Sequence, residues 1–246
     1  MYAPVSDGFS KRAPAIRYVE SAPPRELAEV VHCFWELRTL EPLAEDFQYH
    51  ALPDACVNLL LNQVDPAIAG VTALHTSSTV LNLGRSFHYV GVQLFTGVWR
   101  AAGEDVVDHY VGTPYRGALP LVRTSERLVG LDFHDMRSVL LELVQWCLEH
   151  GHVAPNAVTS RILSRLDEIR SVADMASLVG LSARQLQRTL KQSTGFAPHD
   201  LLKVLRVQQS FRTHYLDLYA DQAHFIHSFR NATGLTPVQY RKRFGV

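Results

Sequence analysis

Arginine and glutamine side chains recur along one side of a predicted helix near the end of the chain. The helix predicted to begin at Ser182 has Leu186 and Leu190 on its apolar side. Its outward-facing polar side chains include Arg184, Gln187 and Arg188. Arginine can form two hydrogen bonds with a guanine edge and glutamine with an adenine edge, and the major groove admits an α-helix. The spacing therefore predicts contacts to base edges of duplex DNA, while the alternative is an ordinary solvated helix face.

This predicted helix belongs to a segment that occurs twice. Residues 182–203 are SARQLQRTLKQSTGFAPHDLLK, and 39 residues later residues 221–242 are DQAHFIHSFRNATGLTPVQYRK. Each copy has a polar cap, an apolar stripe, a glycine that can end the helix in a left-handed conformation, and a proline that can start the next helix. Two copies of one helical unit are predicted, in the manner of paired helix-turn-helix units.

The second copy supplies further candidate contacts. Phe225 and Phe229 form its apolar stripe, so Gln222, His224, His227 and Arg230 are predicted to project outward. The predicted phosphate-contacting residues of both copies are Lys191, Arg230, Arg241, Lys242 and Arg243.

The distribution of charge supports binding of a polyanion by one part only. The chain has no net charge, with 24 Lys and Arg against 24 Asp and Glu. Residues 158–246 hold 13 basic against 6 acidic side chains, which gives +7, while residues 1–157 hold 11 against 18, which gives −7. A basic part joined to an acidic part is expected of a protein whose second part binds phosphates.

The first half of the chain has the pattern of β-strands. Apolar residues alternate with polar ones over 31–39, as in a half-buried strand, and further short runs follow at 56–61, 71–74 and 89–95. Residues 136–150 then show the apolar spacing of a helix. We predict an α+β protein: an antiparallel β-rich, barrel-like domain over 1–150 for sensing or dimerisation, a linker over 151–157, and an all-α DNA-binding domain over 158–246.

The repeated segments resemble the DNA-binding domain of AraC-type transcriptional regulators over about residues 158–244. The resemblance implies two helix-turn-helix units joined by a long helix, with recognition helices that enter major-groove segments one turn apart. It places the base-contacting roles on the Arg184, Gln187, Arg188 set in the first unit and on the Gln222, His224, His227 set in the second. The runs LPDACVNLLLN and GVQLFTG look like a barrel domain fused to some of these regulators.

The second unit departs from the family pattern. The first unit has Ala176 and Gly180 before its recognition helix, but the equivalent positions in the second are Tyr215 and Tyr219. Roughly ten residues, about three helical turns, are absent relative to the family. The apolar spacing from Val204 to Leu218 predicts one continuous helix over 199–218. The second helix-turn-helix unit is therefore predicted to be shortened.

Other chemistries have weaker support in the sequence. The histidines His32, His50, His75 and His88 lack metal-binding spacing, and Cys33, Cys56 and Cys147 lack the spacing of a disulfide framework or zinc site. Cys56 beside Asp54 is either a packed or a redox-sensing thiol, and the absence of a flanking cation favours the packed thiol. We expect no enzyme activity, cofactor, metal or membrane association, and a cytoplasmic location.

Two functions of different classes follow. The first is a sequence-specific DNA-binding transcriptional regulator that is modulated by a small effector or by homodimerisation. The second is a degenerate regulator that acts as a ligand-binding or protein-interaction module without productive DNA binding. A barrel enzyme tethered to a helical domain is a third, weaker hypothesis.

Overall fold

A computed structural model describes residues 2–4, 14–72, 74–100, 112–212 and 218–244. Within these residues, strands are followed by helices, which confirms the predicted α+β layout. The strands are β1 (Ile16–Ser21), β2 (Val31–Thr39), β3 (Gln48–Ala51), β4 (Val57–Asn62), β5 (Ala69–Val71), β6 (Thr79–Asn82) and β7 (His88–Leu94). The helices are α1 (Leu121–Leu128), α2 (Phe133–Glu149), α3 (Ala157–Ser164), α4 (Val172–Val179), α5 (Ala183–Thr194), α6 (Pro198–Ser210), α7 (Gln222–Thr233) and α8 (Pro237–Phe244).

The strands form two antiparallel sheets. Five of them have the order β1-β2-β7-β4-β5, and β3 pairs only with β6 in a separate two-stranded ribbon. One face of the large sheet, which includes Phe34, Leu59 and Val92, packs against α1 and α2. Its other face packs against residues of the ribbon such as Leu81.

Strand β2 has the predicted bounds but not the predicted half-exposed face. Phe34 is fully buried and Glu36 is 2% exposed, although they lie on the side expected to face water. The reason is that β2 is an inner strand with helices on one face and the ribbon on the other. The buried Glu36 carboxylate is 3.0 Å from His88 Nε2 and 3.6 Å from Arg17 Nε.

The helical half contains two clusters of buried side chains. The first joins α3, α4, α5 and the start of α6 around residues such as Met175, Leu186 and Leu201. The second joins the end of α6 to α7 and α8 around Val207 and Phe229. Each cluster therefore corresponds to one copy of the repeat.

The prediction of one continuous helix over 199–218 is wrong. Helix α6 ends at Ser210. The Phe211 backbone N–H donates to the carbonyl oxygens of Gln208 and Gln209 in the last turn. The Phe211 ring contacts the rings of Phe229 and Tyr240 at centroid distances of 5.5 Å each. The apolar spacing that suggested a helix thus serves packing against α7 and α8. Residues 213–217 of the predicted helix, including Tyr215, lie outside the described residues.

The turn between β3 and β4 connects the two halves of the molecule. Leu52 is a member of the second helical cluster, whereas Ala55 and Cys56 belong to the first. Gln208 of α6 donates a hydrogen bond from Nε2 to the Pro53 carbonyl oxygen at 2.7 Å. The predicted linker is also packed: Val153 is 1% exposed and forms an isolated bridge with Trp99.

Among the helices of the described ranges, none is both long and apolar enough to cross a bilayer.

Candidate nucleic-acid interface

Helix α5 is fixed at both ends by its own sequence. Ser182 and Gln185 form a reciprocal capping box, in which the Gln185 N–H donates to Ser182 Oγ and the Ser182 N–H donates to Gln185 Oε1. At the other end Gly195 adopts a left-handed conformation with φ 74°. Leu186 and Leu190 are fully buried, as predicted. The rotation of α5 about its axis is therefore set by its apolar stripe.

The predicted contact residues of the first unit lie together on the outer face of α5. Arg184, Gln187, Arg188 and Lys191 are all exposed and line a shallow depression together with Gln192. No acidic side chain occurs between Ala183 and Thr194, the bounds of the helix. The face combines positive charge with amide groups, which suits contact with phosphates and base edges.

Lys191 has a structural contact as well. Its Nζ donates a hydrogen bond to the Gly195 carbonyl oxygen at 2.7 Å. A cation at this place satisfies a free carbonyl and opposes the negative end of the helix dipole. Lys191 therefore stabilises the end of α5 in addition to its predicted phosphate contact.

Helix α4 supports α5 from behind. Ala176 and Met175 are buried in the cluster that contains Leu186. Between the helices, Gly180 has φ 69°, and the Leu181 N–H donates to the Ala176 carbonyl oxygen at 3.0 Å. A Cβ on Gly180 would meet no atom within 4 Å, so glycine is required here for its backbone conformation. These contacts hold α4 and α5 as a pair of helices joined by a short turn.

Helix α7 presents the predicted contact residues of the second unit. Phe225 and Phe229 point inward as predicted, while Gln222, His224, His227 and Arg230 are exposed. Two of these side chains also contact neighbours. His224 meets the Tyr219 ring edge to face at 5.4 Å, and His227 Nε2 lies 2.9 Å from Asn231 Nδ2.

The basic cluster at the end of the chain lies on α8. Thr236 and Gln239 cap this helix reciprocally: the Gln239 N–H donates to Thr236 Oγ1 and the Thr236 N–H donates to Gln239 Oε1. Arg241, Lys242 and Arg243 are exposed, while Tyr240 points inward with 2% exposure. The Arg243 guanidinium lies 5.5 Å from the centre of the Phe244 ring. The cations therefore belong to a helix that is anchored on its opposite side.

The three cysteines have the surroundings of packed thiols. All three are buried, and none forms a disulfide. Burial raises the pKa of the Cys147 thiol to about 12. Burial, with a further contribution from Asp54, also raises the pKa of Cys56. Such shifts disfavour the reactive thiolate. In the described part of the chain, no group of three or more His, Cys, Asp or Glu side chains is placed to hold a metal ion.

Sequence reasoning missed Gln192 and the partners of the second unit. Gln192 lines the same depression, and its position four residues after Arg188 was the available signal. His50, Leu52 and Ser78 contact α7 or α8 from the first half of the chain. Nothing local in the sequence marks these three residues.

Comparison with known proteins gives a family match in the first half of the chain only. Residues 19–108 match the model of a domain of unknown function (DUF6597), a domain found in AraC-like regulators. No curated protein and no solved structure matches the chain.

Proposed function

We propose that the protein is a sequence-specific, DNA-binding transcriptional regulator of the AraC type. The observation that carries this proposal is the outer face of α5. It is exposed, free of acidic side chains, and held in a fixed orientation by the capping box, the apolar stripe and α4. Rigid support of this kind is what a recognition helix needs in order to place side chains against base edges.

In this proposal α5 enters the major groove. Arg184, Gln187 and Arg188 contact base edges, and Lys191 contacts a phosphate. Helix α7 offers Gln222, His224 and His227 to a second groove segment, with Arg230 at its border. Arg241, Lys242 and Arg243 of α8 contact the DNA backbone.

The first half of the molecule would regulate this binding. A small effector or a second copy of the chain changes DNA affinity only if it binds two arrangements of the helical units unequally. The turn 52–56, which contacts both helical clusters, is a direct physical route for that effect. As such a regulator, the protein acts in the cytoplasm and binds chromosomal double-stranded DNA.

Selection of bound duplexes from a fragmented genome tests the proposal. The purified full-length protein should enrich a defined sequence, and the same selection with Arg184→Ala should lose preference at one position of that sequence. Failure to enrich any sequence at low salt would contradict the proposal.

One observation favours the second candidate, an interaction module without productive DNA binding. Unlike the first unit, the second has no helix before its recognition helix among the described residues 211–212 and 218–221. The dependence of affinity on salt separates the candidates. A protein that neutralises several phosphates loses affinity steeply as salt rises, whereas an interaction module shows a flat dependence or no binding.

A further inference from the structure

The two helical units differ in what supports their recognition helices. In the first unit, α4 lies behind α5 and contributes Met175 and Ala176 to its cluster. In the second unit, α6 ends at Ser210, and the described residues just before Asp221, the N-cap of α7, are not helical. The inner face of α7 is therefore supported by other segments, among them the end of α6, α8 and the residues around Tyr219.

That support comes partly from the first half of the chain. Leu52, at the end of ribbon strand β3, is 6% exposed and belongs to the cluster that contains Phe225, Phe229 and Tyr240. Leu52 thus fills part of the core of the second unit, although it precedes Phe225 by 173 positions in the sequence.

A backbone contact fixes the end of α7 to the ribbon. The Ser78 N–H, just before β6, donates a hydrogen bond to the Ala232 carbonyl oxygen at 2.6 Å. Carbonyls in the last turn of a helix have no partner within the helix, so an external donor satisfies one of them. Gly234 follows, and a Cβ at this position would lie 3.9 Å from Ser78 Oγ.

An aromatic contact fixes α8 to the same ribbon. The His50 ring of β3 is stacked on the Phe244 ring with a centroid distance of 5.3 Å and an angle of 19°. It also lies 6.1 Å from the Tyr240 ring. His50 is 5% exposed, so it is buried where it meets these rings.

We propose that the β3–β6 ribbon positions the second recognition helix, with Leu52 and His50 as positioning residues that act through the inner faces of α7 and α8. This inference rests on the proposed function for its consequence in DNA binding, but the positioning itself does not depend on DNA. The ribbon thus adds to the support that the end of α6 gives to α7. A change in the first domain then moves α7 relative to α5 and alters the fit to two adjacent groove segments.

Hydrogen exchange on the full-length protein tests the positioning directly. In Leu52→Ala, amides of α7 and α8 should exchange about tenfold faster or more, while amides of α4, α5, β2 and β7 keep their protection. Leu40→Ala is the matched control, because Leu40 is 58% exposed at the end of β2 and its truncation should change no element.

A second variant keeps the test decisive if Leu52→Ala unfolds the whole chain. His50→Ala removes the stacked ring and should also raise exchange selectively in α8 and the end of α7. Unchanged exchange in α7 and α8, or a uniform loss of protection in both variants, would overturn the inference.

Footprinting on a selected DNA site distinguishes this inference from the proposed function. Leu52→Ala should shorten protection to the groove segment contacted by α5, while Leu40→Ala keeps the full footprint. If the unsubstituted protein binds no DNA but exchange in α7 and α8 still rises selectively, the positioning stands and the proposed function fails. If Leu52→Ala keeps the full footprint, the ribbon does not position α7 for DNA.

Discussion

Replacement of Arg184 or Arg188 by alanine should weaken DNA binding without weakening the fold. Both side chains are exposed on α5 and lie outside the buried cluster that contains Leu186 and Leu190. Exposed substitutions of this kind usually change the free energy of unfolding by no more than about 0.5 kcal/mol. A bidentate contact between arginine and guanine contributes about 1–3 kcal/mol of discrimination, which corresponds to a loss of roughly 5- to 150-fold in affinity for the selected site.

The assay is fluorescence anisotropy at one fixed salt concentration, with the selected duplex and a shuffled duplex of equal length. We expect each variant to lose affinity for the selected duplex and to retain most of its weak affinity for the shuffled one. Arg123→Ala on α1 is the matched control, because Arg123 is exposed on a helix of the first half of the chain. Changing the contacted base pair should cause little further loss in the corresponding arginine variant.

Two results would refute the reasoning. An equal loss on both duplexes would show that the arginines contact phosphates and carry no sequence information. A loss no larger than that of Arg123→Ala would show that α5 does not face DNA at all.

Three further predictions concern charge, pH and packing. Replacing Arg241, Lys242 and Arg243 together by glutamine should reduce the log-log salt slope of DNA binding by about 2.7, at about 0.9 per phosphate contact, and an unchanged slope would remove α8 from the interface. Burial, and the nearby Arg243, lower the pKa of His50 below 6.5, so the free energy of unfolding is highest above pH 6.5 and falls as the pH drops below it. In His50→Phe, the melting temperature should therefore fall less between pH 7 and pH 5 than in the unsubstituted protein. An equally steep fall in the variant would contradict the role given to His50. Leu186→Ala should cost about 2–5 kcal/mol in denaturant unfolding because Leu186 is fully buried, whereas a cost below that of an exposed substitution would mean that α5 is not packed on α4.

Local patterns in the sequence were enough to predict which faces of α5 and α7 are buried and which are exposed. The apolar stripes of α5 and α7, the capping box at Ser182 and the left-handed Gly195 and Gly234 all depend on residues within one helix and its ends. The bounds of β2 were predicted for the same reason, since alternation is a property of neighbours in the chain.

The remaining features depend on contacts between distant segments. Phe211 continues the apolar spacing of α6, but the helix ends before it and its ring packs against α7 and α8. Glu36 has the sequence context of a surface residue, yet its position on an inner strand buries it beside His88. The contact of Leu52 with the second unit depends on the arrangement of both halves. No window of sequence contains that information.

The hydrogen bond between Gln208 and the Pro53 carbonyl oxygen joins residues 155 positions apart in the chain. Contacts of such high sequence separation are costly to form early, because a long loop must close before they contribute. During synthesis the turn at residue 53 leaves the ribosome well before α6 exists, and at about 5–20 residues per second the wait lasts of the order of ten seconds or more. The turn's apolar side chains stay without their helical partners for that time. The junction between the turn and α6 can therefore form only late in synthesis, after the strands of the first half have been made.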